Sequence, residues 1–434
     1  MLPLRSALAY VALLSSVLAT LPGMAYLGAV AVSLAVSLGW QDMRRVPRAV
    51  FAVAVLAMAF AFGRDPGLVE GAAGNMTRLA GLILSVMLLS SVLAGSRDLQ
   101  RISSSLFSGK PGTRYASLAF GTALVSVPLN FGSVAVVGSL ISERIRRSGD
   151  SAATRNSTRA VLRGFGVSPI WSPLSISVAL TLTLLPTLGG AQLIGLSLPF
   201  AMLVLLAGFL WREPEPQPET GVAADTAGAK AWLRFGGIIL GICIGVFLFS
   251  HVYEFSYARS VTLSCLTAVI IGWALSLAGG RRPCPPTMAN VSNELAIVGG
   301  SAFIGSVISA VVLGQVAGDM GLPGWAWPVL AALVPWSFFL AGLAGANPIL
   351  TGTLIGGILG PAWPPGAVLG LGFAMVTGWG ITAFGTPFAA NALIMERLTG
   401  YRARDASLRW SLALSLIALS AASAIAVGLT VWLA

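Results

Sequence analysis

The segments that decide the fold are Leu129-Asn130-Phe131-Gly132-Ser133-Val134-Ala135 and Asn347-Pro348-Ile349-Leu350-Thr351-Gly352-Thr353. Each places an asparagine, a small hydroxyl residue and a helix-breaking glycine or proline inside an apolar run. Breaking a helix there exposes backbone N–H and C=O groups that lipid cannot satisfy. The two asparagines are separated by half the length of the chain. This spacing predicts two copies of one unit.

A second pair of interruptions follows at nearly the same spacing. Ser172-Pro173 and Thr386-Pro387 each break a later apolar run. We call the separation between Ser172 and Thr386 the repeat spacing. Proline removes a backbone donor and kinks or ends a helix. Hydrophobic segments interrupted at corresponding positions of two halves indicate the binding site of a secondary transporter.

The composition is that of a membrane protein. Hydrophobic residues make up 56% of the sequence and charged residues 9%. A soluble domain with this composition would expose a very large apolar surface. Apolar runs of roughly 17 to 25 residues, the length of a membrane-spanning helix, recur from end to end. We therefore expect an all-α polytopic protein surrounded by membrane lipid.

The net charge of +11 does not indicate a nucleic-acid partner, because the arginines lie in short loops between apolar runs. This distribution is the positive-inside pattern of cytoplasmic loops. Arg44, Arg45 and Arg48, for example, share the loop 41–48. We expect a bacterial cytoplasmic (inner) membrane protein with a cytoplasmic N-terminus and an external C-terminus.

The sequence contains few residues of the types that usually carry catalysis or bind metals. The three cysteines lack CxxC spacing, which argues against a zinc site or a disulfide frame. His251 is the single histidine, so histidine-based catalysis is not indicated. No Walker motif is present either. We expect neither an enzyme nor a cofactor other than a coupling ion.

The apolar runs divide the chain into two comparable halves. Residues 1–22 form an extra N-terminal helix, for which a signal peptide is the alternative. Repeat 1 spans 23–210, a cytoplasmic linker spans 211–231, and repeat 2 spans 232–434. We predict about eleven spans. The predicted segments are helices 23–39, 49–63 and 77–95, a loop 96–114, hairpin 115–142, broken helix 164–187 and span 192–210, then helices 232–250, 261–278 and 294–316, hairpin 326–359, broken helix 367–396 and span 410–432.

Loops at equivalent positions of the two halves differ in charge. Six arginines lie between 144 and 163, after the first hairpin, whereas 360–365, after the second, contains no basic residue. The turn 186–191 is uncharged, whereas its counterpart 397–409 contains four arginines. Equivalent loops are thus expected on opposite sides, which predicts inverted-topology repeats. Both flanks of 115–142 are basic, which predicts a re-entrant hairpin; one straight helix is the alternative.

The interruptions offer suitable ligands for a charged solute. An unwound helix presents free N–H groups and the positive end of a half-helix dipole to an anion. Asparagine offers both donors and acceptors, and serine and threonine add hydroxyls. Ser177 and Asn391 correspond to each other under the repeat spacing. The candidate binding residues are Asn130, Gly132, Ser133, Ser172, Pro173, Ser177, Asn347, Pro348, Thr351, Thr382, Thr386, Pro387 and Asn391.

Sodium is the favoured coupling ion. Its expected ligands are backbone carbonyls together with Asn130, Ser133, Asn347 and Thr351. A proton relay normally needs an acid or histidine inside the membrane, and the acidic residues fall at or near predicted helix ends. These acids are Glu70, Glu143, Glu254, Glu294, Asp319 and Glu396. Proton coupling remains the alternative, and any hydroxyl can instead bond to its own helix.

The architecture resembles the ion transporter superfamily, which includes divalent anion:sodium symporters, citrate carriers and arsenite or sodium/proton antiporters. In its sodium-coupled members a Ser-Asn-Thr triplet marks both hairpin tips. This sequence has Leu129-Asn130-Phe131 and Ala346-Asn347-Pro348 instead. Only the asparagine carries over, with Ser133 and Thr351 one turn later.

The resemblance implies an elevator mechanism in a homodimer, in which hairpins and broken helices move past a scaffold. It implies a secondary active transporter of a small anion, an organic acid or an oxyanion, coupled to sodium. A proton-coupled anion exporter or a sodium/proton antiporter on the same fold is the alternative.

Overall fold

The protein is all-helical in the residues that its structure, a computed structural model, describes: 2–216, 229–280, 282, 284–315 and 321–433. No β-strand occurs within these ranges. Most of the predicted linker and Asp319 lie outside the described residues.

Ten α-helices occur in the described residues of the first half. Five of them, α1, α2, α3, α6 and α10, begin within a few residues of a predicted segment, and α7 and α9 form the second parts of the predicted hairpin and broken helix. The bounds are α1 Leu2–Val17, α2 Met24–Leu38, α3 Arg45–Arg64, α4 Pro66–Ala94, α5 Arg97–Ser105, α6 Pro111–Leu129, α7 Phe131–Ser148, α8 Ala152–Trp171, α9 Ile176–Leu184 and α10 Gly190–Gly208.

Eight α-helices follow in the described residues of the second half. They lie close to the predicted segments, and both predicted interruptions separate two helices. The bounds are α11 Ala229–His251, α12 Tyr257–Ala278, α13 Ser292–Gln315, α14 Ala326–Leu343, α15 Pro348–Leu359, α16 Val368–Gly385, α17 Ala390–Thr399 and α18 Trp410–Leu433.

Ten helical segments of the described chain are long and apolar enough to cross a membrane, with α8–α9 and α16–α17 each counted as one. The chain therefore has the helices of a multi-pass membrane protein. Nine of these are among the eleven predicted spans, and α14 is the tenth. The remaining two predicted spans, α1 and α2, have only 16 and 15 residues. They are short because the turn between them, where Gly23 has φ +78°, interrupts the apolar run.

Helix α4 begins eleven residues before its predicted start. Asp65 caps it by accepting a hydrogen bond from the Gly67 N–H at 2.9 Å, and Pro66 occupies the first turn, where proline is favoured. Asn75 therefore lies within the helix and not in the preceding loop. Hydropathy alone did not reveal this, because the polar side chain of Asn75 is directed at Ser306 on the neighbouring α13.

The predicted loop 96–114 contains a helix of its own. Ser96 caps α5 by accepting from the Leu99 N–H at 3.2 Å, and the helix buries Leu99 and Ile102. It packs against α7 and α11. The sequence did not reveal this helix, because a nine-residue amphipathic helix is too short to give a clear periodic signal.

Helix α8 begins twelve residues before the predicted broken helix. Ser151 and Thr154 form a capping box at its start. Arg155, Arg159 and Arg163, predicted in a loop, therefore lie within the first four turns of the helix.

A single guanidinium, from the middle of α8, joins that helix to the ends of three others. Arg163 on α8 is 1% exposed. Its Nη1 donates to the Tyr115 hydroxyl on α6 and to the Gly208 carbonyl on α10, both at 2.7 Å. Its Nη2 donates to the Trp410 carbonyl on α18, also at 2.7 Å. The charge is thus held by neutral oxygen acceptors that fill most of the guanidinium fork.

The first residues of the predicted linker are anchored to α8. Glu213 accepts from Arg155 at 2.8 Å and from Arg159 at 2.7 Å, and Glu215 pairs with Arg114 on α6. Partial burial raises the pKa of Glu213. The hydrogen bonds from Arg155 and Arg159 lower it by more, so the pKa lies below its usual value. We call residues 213–215 the acidic strap. These residues belong to the predicted linker 211–231 and have no regular secondary structure, but their side chains are paired with arginines of α6 and α8.

The two halves use equivalent helix pairs. Helix α6 packs on α8 as α14 packs on α16, and α10 packs on α8 as α18 packs on α16. Helices α4 and α13 pack together, as do α8 and α16. The candidate residues lie around the last of these contacts.

The crossing of α8 and α16 depends on two glycines, Gly166 and Gly380, that correspond under the repeat spacing. A Cβ on Gly166 would lie 2.6 Å from the Phe384 Cβ, and one on Gly380 would lie 2.2 Å from the Ile170 Cγ1. Only glycine permits so close an approach. As residue numbers rise along α8 from 166 to 170, those of the contacts on α16 fall from 384 to 380, so the helices run antiparallel.

Candidate functional site

The break between α6 and α7 consists of one residue. Asn130 joins the helices with φ +47° and ψ −128°, a backbone conformation that few non-glycine residues adopt. Its carbonyl accepts from the Ser133 hydroxyl at 2.7 Å, and that hydroxyl also contacts the Ser126 hydroxyl at 2.6 Å. On α4, Ser90 donates to the Leu129 carbonyl at 3.2 Å. Within the described residues, the side-chain amide of Asn130 has no hydrogen-bond partner.

The break between α14 and α15 has a different geometry. Asn347 is the N-cap of α15, and its Oδ1 accepts from the Ile349 N–H at 2.8 Å. Its carbonyl accepts from the Thr351 hydroxyl at 3.3 Å. Both oxygens of Asn347 therefore accept local hydrogen bonds, and the hydroxyls of Ser133 and Thr351 donate to backbone carbonyls of their own segments. Of the predicted sodium ligands, the Asn130 side chain alone makes no hydrogen bond within the described residues.

The break between α8 and α9 leaves buried polar atoms without partners. Ser172 and Ser177 are 2% and 1% exposed. Neither hydroxyl has a hydrogen-bond partner in the described part of the chain, and the same holds for the Trp171 Nε1. Ser175 caps α9 through the Val178 N–H at 3.2 Å, and Tyr257 on α12 donates to the Pro173 carbonyl at 3.1 Å. Hydrogen bonds from α9 and α12 thus fix the backbone of the break, while the donors of Trp171, Ser172 and Ser177 make no hydrogen bond within the described residues.

The break between α16 and α17 repeats this pattern. Asn391, in the first turn of α17, is 1% exposed, and its Nδ2 has no partner among the described residues. Ala389 precedes the helix and offers no side-chain cap. By contrast, Thr382 and Thr386 donate to the carbonyls four residues earlier, at 2.7 and 2.9 Å. These two hydroxyls are satisfied within α16 and its end.

The unused atoms at the two breaks are donors. A buried polar group without a partner costs about 1–3 kcal/mol, so each such group in a native structure calls for a ligand or water. The Trp171 Nε1 and the Asn391 Nδ2 can only donate, and the hydroxyls of Ser172 and Ser177 can also donate. A group rich in acceptor oxygens, such as a carboxylate or an oxyanion, fits them better than a cation does.

The structure brings some of the predicted residues together and not others. Asn130 and Ser133 lie together at the end of α6, next to Ser90 on α4. The end of α14 lies against Thr382 and Thr386, since a Cβ on Gly342 would lie 2.3 Å from the Thr382 Cγ2 and 3.3 Å from the Thr386 Oγ1. Ser172 and Ser177 lie at the α8–α9 break. Pro173, Pro348 and Pro387 lie at the breaks that they cause, and Gly132 lies in the first turn of α7.

Two features of the site are absent from the predicted set. One is a repeat within the broken helices: Gly-Phe-Gly-Val-Ser-Pro-Ile-Trp-Ser-Pro at 164–173 corresponds to Gly-Trp-Gly-Ile-Thr-Ala-Phe-Gly-Thr-Pro at 378–387. Aligning the halves at the repeat spacing would have revealed it. The other is a polar group on α4 and α13, Arg78, Asn75 and Ser306, for which the sequence gives no periodic signal.

Two surface cavities lie away from the breaks. One, of about 380 Å³, is lined by residues of α5 and α6 and by Trp232. The other, of about 490 Å³, lies between α1 and the segment Pro285 to Thr287. None of the predicted binding residues lines either cavity.

No protein-family model matches this chain, and no curated protein is significantly similar to it. The assignment of function therefore depends on the geometry of the chain's own residues.

Proposed function

We propose that this chain is a secondary transporter that moves a small anion, an organic acid or an oxyanion, across a membrane. The observation that carries the proposal is the set of buried, unpaired donors at two equivalent helix breaks of the described chain: Ser172, Ser177 and Asn391, with the Trp171 indole. Discontinuous helices of this kind present half-helix N-termini to anionic substrates in transporters.

The packing supports a pair of inverted repeats. Helices α8 and α16 contain the same glycine pattern at the same spacing and cross in an antiparallel sense. Equivalent helices that run antiparallel are what inverted topology requires, whereas parallel repeats would place them side by side in one sense. The equivalent pairings α6–α8 and α14–α16 agree with this.

The remaining features of the proposal follow the resemblance to the ion transporter superfamily. The pairs α6–α7 and α14–α15 are re-entrant hairpins, the hairpins and broken helices move as an elevator past a scaffold of the remaining spans, and two copies form a homodimer. The arginine-rich loops face the cytoplasm, so the N-terminus is cytoplasmic and the C-terminus external, in a bacterial cytoplasmic membrane. The proposed coupling ion is sodium, which would enter when the local hydrogen bonds at Asn130 and Asn347 rearrange.

Proton coupling, as in an anion exporter or a sodium/proton antiporter, is the second candidate. Glu294 in the first turn of α13 favours it, because this half-buried carboxylate has an Oε2 without a partner among the described residues. A carboxylate in this position is able to carry a proton. Uptake by Glu294→Gln at several pH values distinguishes the candidates: sodium coupling predicts an unchanged dependence on sodium, and proton coupling predicts the loss of pH dependence.

The test of the proposal is uptake of labelled anions into proteoliposomes containing the purified protein, with and without a sodium gradient. We expect uptake of at least one carboxylate or oxyanion that Asn391→Ala abolishes. Ser139→Ala is the matched control, because that hydroxyl lies on the exposed side of α7 and bonds only to the Val136 carbonyl. Wild-type uptake by Asn391→Ala would refute the site, and the absence of anion uptake by the wild type would refute the function.

A further inference from the structure

We propose that Arg78 on α4 is an anion-recognising residue that binds the transported anion through two acceptor oxygens. This inference rests on the proposed function and specifies the substrate as a carboxylate or a tetrahedral oxyanion.

Arg78 lies well inside its helix. It is twelve residues from Pro66 and sixteen from Ala94, or roughly 18 and 24 Å along the axis at 1.5 Å per residue. The helix is one of the ten apolar segments of the described chain that are long enough to span a membrane. A charged residue inside such a segment is costly and usually serves a function.

The neighbours of Arg78 orient it without neutralising it. Its Nη2 donates to the Asn75 Oδ1, and the Asn75 Nδ2 donates to the Ser306 hydroxyl on α13 at 2.8 Å. Ser306 in turn donates to the Ala302 carbonyl at 2.8 Å. Across the described ranges, no carboxylate lies within ion-pair distance of Arg78, and its buried Nε has no partner.

Two buried arginines differ from the half-buried Arg78 in the acceptors that they reach. The Arg163 guanidinium donates to three oxygens at 2.7 Å. Arg5 leaves its Nε unpartnered, as Arg78 does, but its charge is paired with the Asp42 carboxylate at 2.7 Å. Arg78 keeps most of its five donors, in the fork geometry that matches a carboxylate or phosphate.

Arg78 lies on a helix that contacts one interrupted hairpin directly and the other through α13. Helix α4 packs against α6, and its Ser90 donates to the Leu129 carbonyl beside the Asn130 break at 3.2 Å. On α13, beside Ser306, a Cβ on Gly305 would lie 2.1 Å from the Thr353 Cγ2 of α15. The unfilled guanidinium is thus on a helix that packs against the first interrupted hairpin, and its partner Ser306 is on the helix that packs against the second.

The test uses thermal stabilisation of the purified full-length protein in a non-ionic detergent by succinate, citrate, phosphate and sulfate. We expect Arg78→Gln to weaken binding of the stabilising anion roughly 10- to 100-fold, the loss of one or two charge-assisted hydrogen bonds. Arg78→Lys keeps the charge but loses the fork, so we expect a smaller loss. Arg146→Gln on α7 is the matched control, because that side chain is 76% exposed.

Asn75→Asp keeps the proposal testable if Arg78→Gln does not fold. The introduced carboxylate would sit beside the guanidinium and compete with the anion, so binding should weaken while Arg78 is still present. Stabilisation of Arg78→Gln or Asn75→Asp equal to that of the wild type would overturn the inference. Stabilisation by phosphatidylglycerol alone, lost in Arg78→Gln, would assign the site to a lipid headgroup and also overturn it. If no anion stabilises the wild type, the proposed function fails first.

Discussion

Removing the Ser177 hydroxyl should stabilise the empty protein and weaken anion binding. This side chain is 1% exposed and has no hydrogen-bond partner among the described residues. Leaving such a group unsatisfied costs about 1–3 kcal/mol. Because Ser177→Ala removes only one oxygen atom, we expect the free energy of unfolding to rise by an amount on the order of 1 kcal/mol.

Ser168→Ala provides the matched comparison. Ser168 is also buried near the same break, but its hydroxyl donates to the Ala123 carbonyl on α6 at 2.8 Å. Losing a satisfied hydrogen bond costs about 0.5–1.5 kcal/mol, so this variant should be less stable than the wild type. The two serine-to-alanine changes are therefore expected to have opposite signs.

The assay is a thermal melt of each variant in detergent at one scan rate, followed by tryptophan fluorescence, with and without a stabilising anion. Ser177→Ala should have the higher midpoint without anion and should need about tenfold more anion for the same stabilisation, since a hydrogen bond to a charged group contributes about 1.5–3 kcal/mol. If Ser177→Ala and Ser168→Ala both lower the midpoint equally, Ser177 is not an unsatisfied donor and the reasoning is refuted.

Three further changes test the geometry. Gly380→Ala would place a Cβ 2.2 Å from the Ile170 Cγ1 and should lower the free energy of unfolding by about 1–3 kcal/mol. Gly241→Ala is the control and should melt at or above the wild-type midpoint, because a Cβ there would meet no atom within 4 Å. Equal melting midpoints of the two variants would contradict the close crossing. The pKa of Glu213 is lowered below 4.5. Its ion pairs should therefore contribute fully to the free energy of unfolding above that pH, and this contribution should be lost as the pH falls through the lowered pKa. Thermal melts at acidic pH should show this loss of stability in the wild type and not in Glu213→Gln. Asn130 has φ +47°, so Asn130→Gly should melt like the wild type, whereas Asn130→Ala should lose about 1–2 kcal/mol of the free energy of unfolding. Both variants should lose anion uptake. Uptake by Asn130→Gly would show that Asn130 acts through its backbone conformation alone.

The positions of the helix breaks could be predicted from sequence because their causes are local. Asn130 separates α6 from α7, Ser172 ends α8, Asn347 caps α15 and Thr386 ends α16. The starts of α4 and α8 were placed too late, although Asp65 caps α4 and Ser151 forms a capping box with Thr154 at the start of α8. The arginines in the first turns of α8 pair with the acidic strap, and tertiary partners of this kind override local preference.

The correspondence between the halves predicted where the breaks lie, but it did not predict the hydrogen bonds that the residues at each break make. Asn347 precedes a proline, which restricts it to an extended conformation, and with φ −78° and ψ 130° it caps a helix. Asn130 precedes Phe131 and adopts a positive φ. Ser177 and Asn391, matched by spacing alone, are both buried and, among the described residues, unpaired, whereas Thr382 and Thr386 are satisfied within their own helix. Sequence could not distinguish these cases, because the rotamer of each hydroxyl is set by its helix.

The Arg163 guanidinium has a mechanical consequence. It fastens α6, α8 and α10 of the first half to the start of α18 in the second. Breaking a buried charge's contacts is strongly destabilising, by several kcal/mol, so we expect these four helices to remain joined at this point. The group that the guanidinium joins therefore does not follow the division between the sequence halves. In the proposed elevator, the surface along which the two parts slide would have to pass around this group.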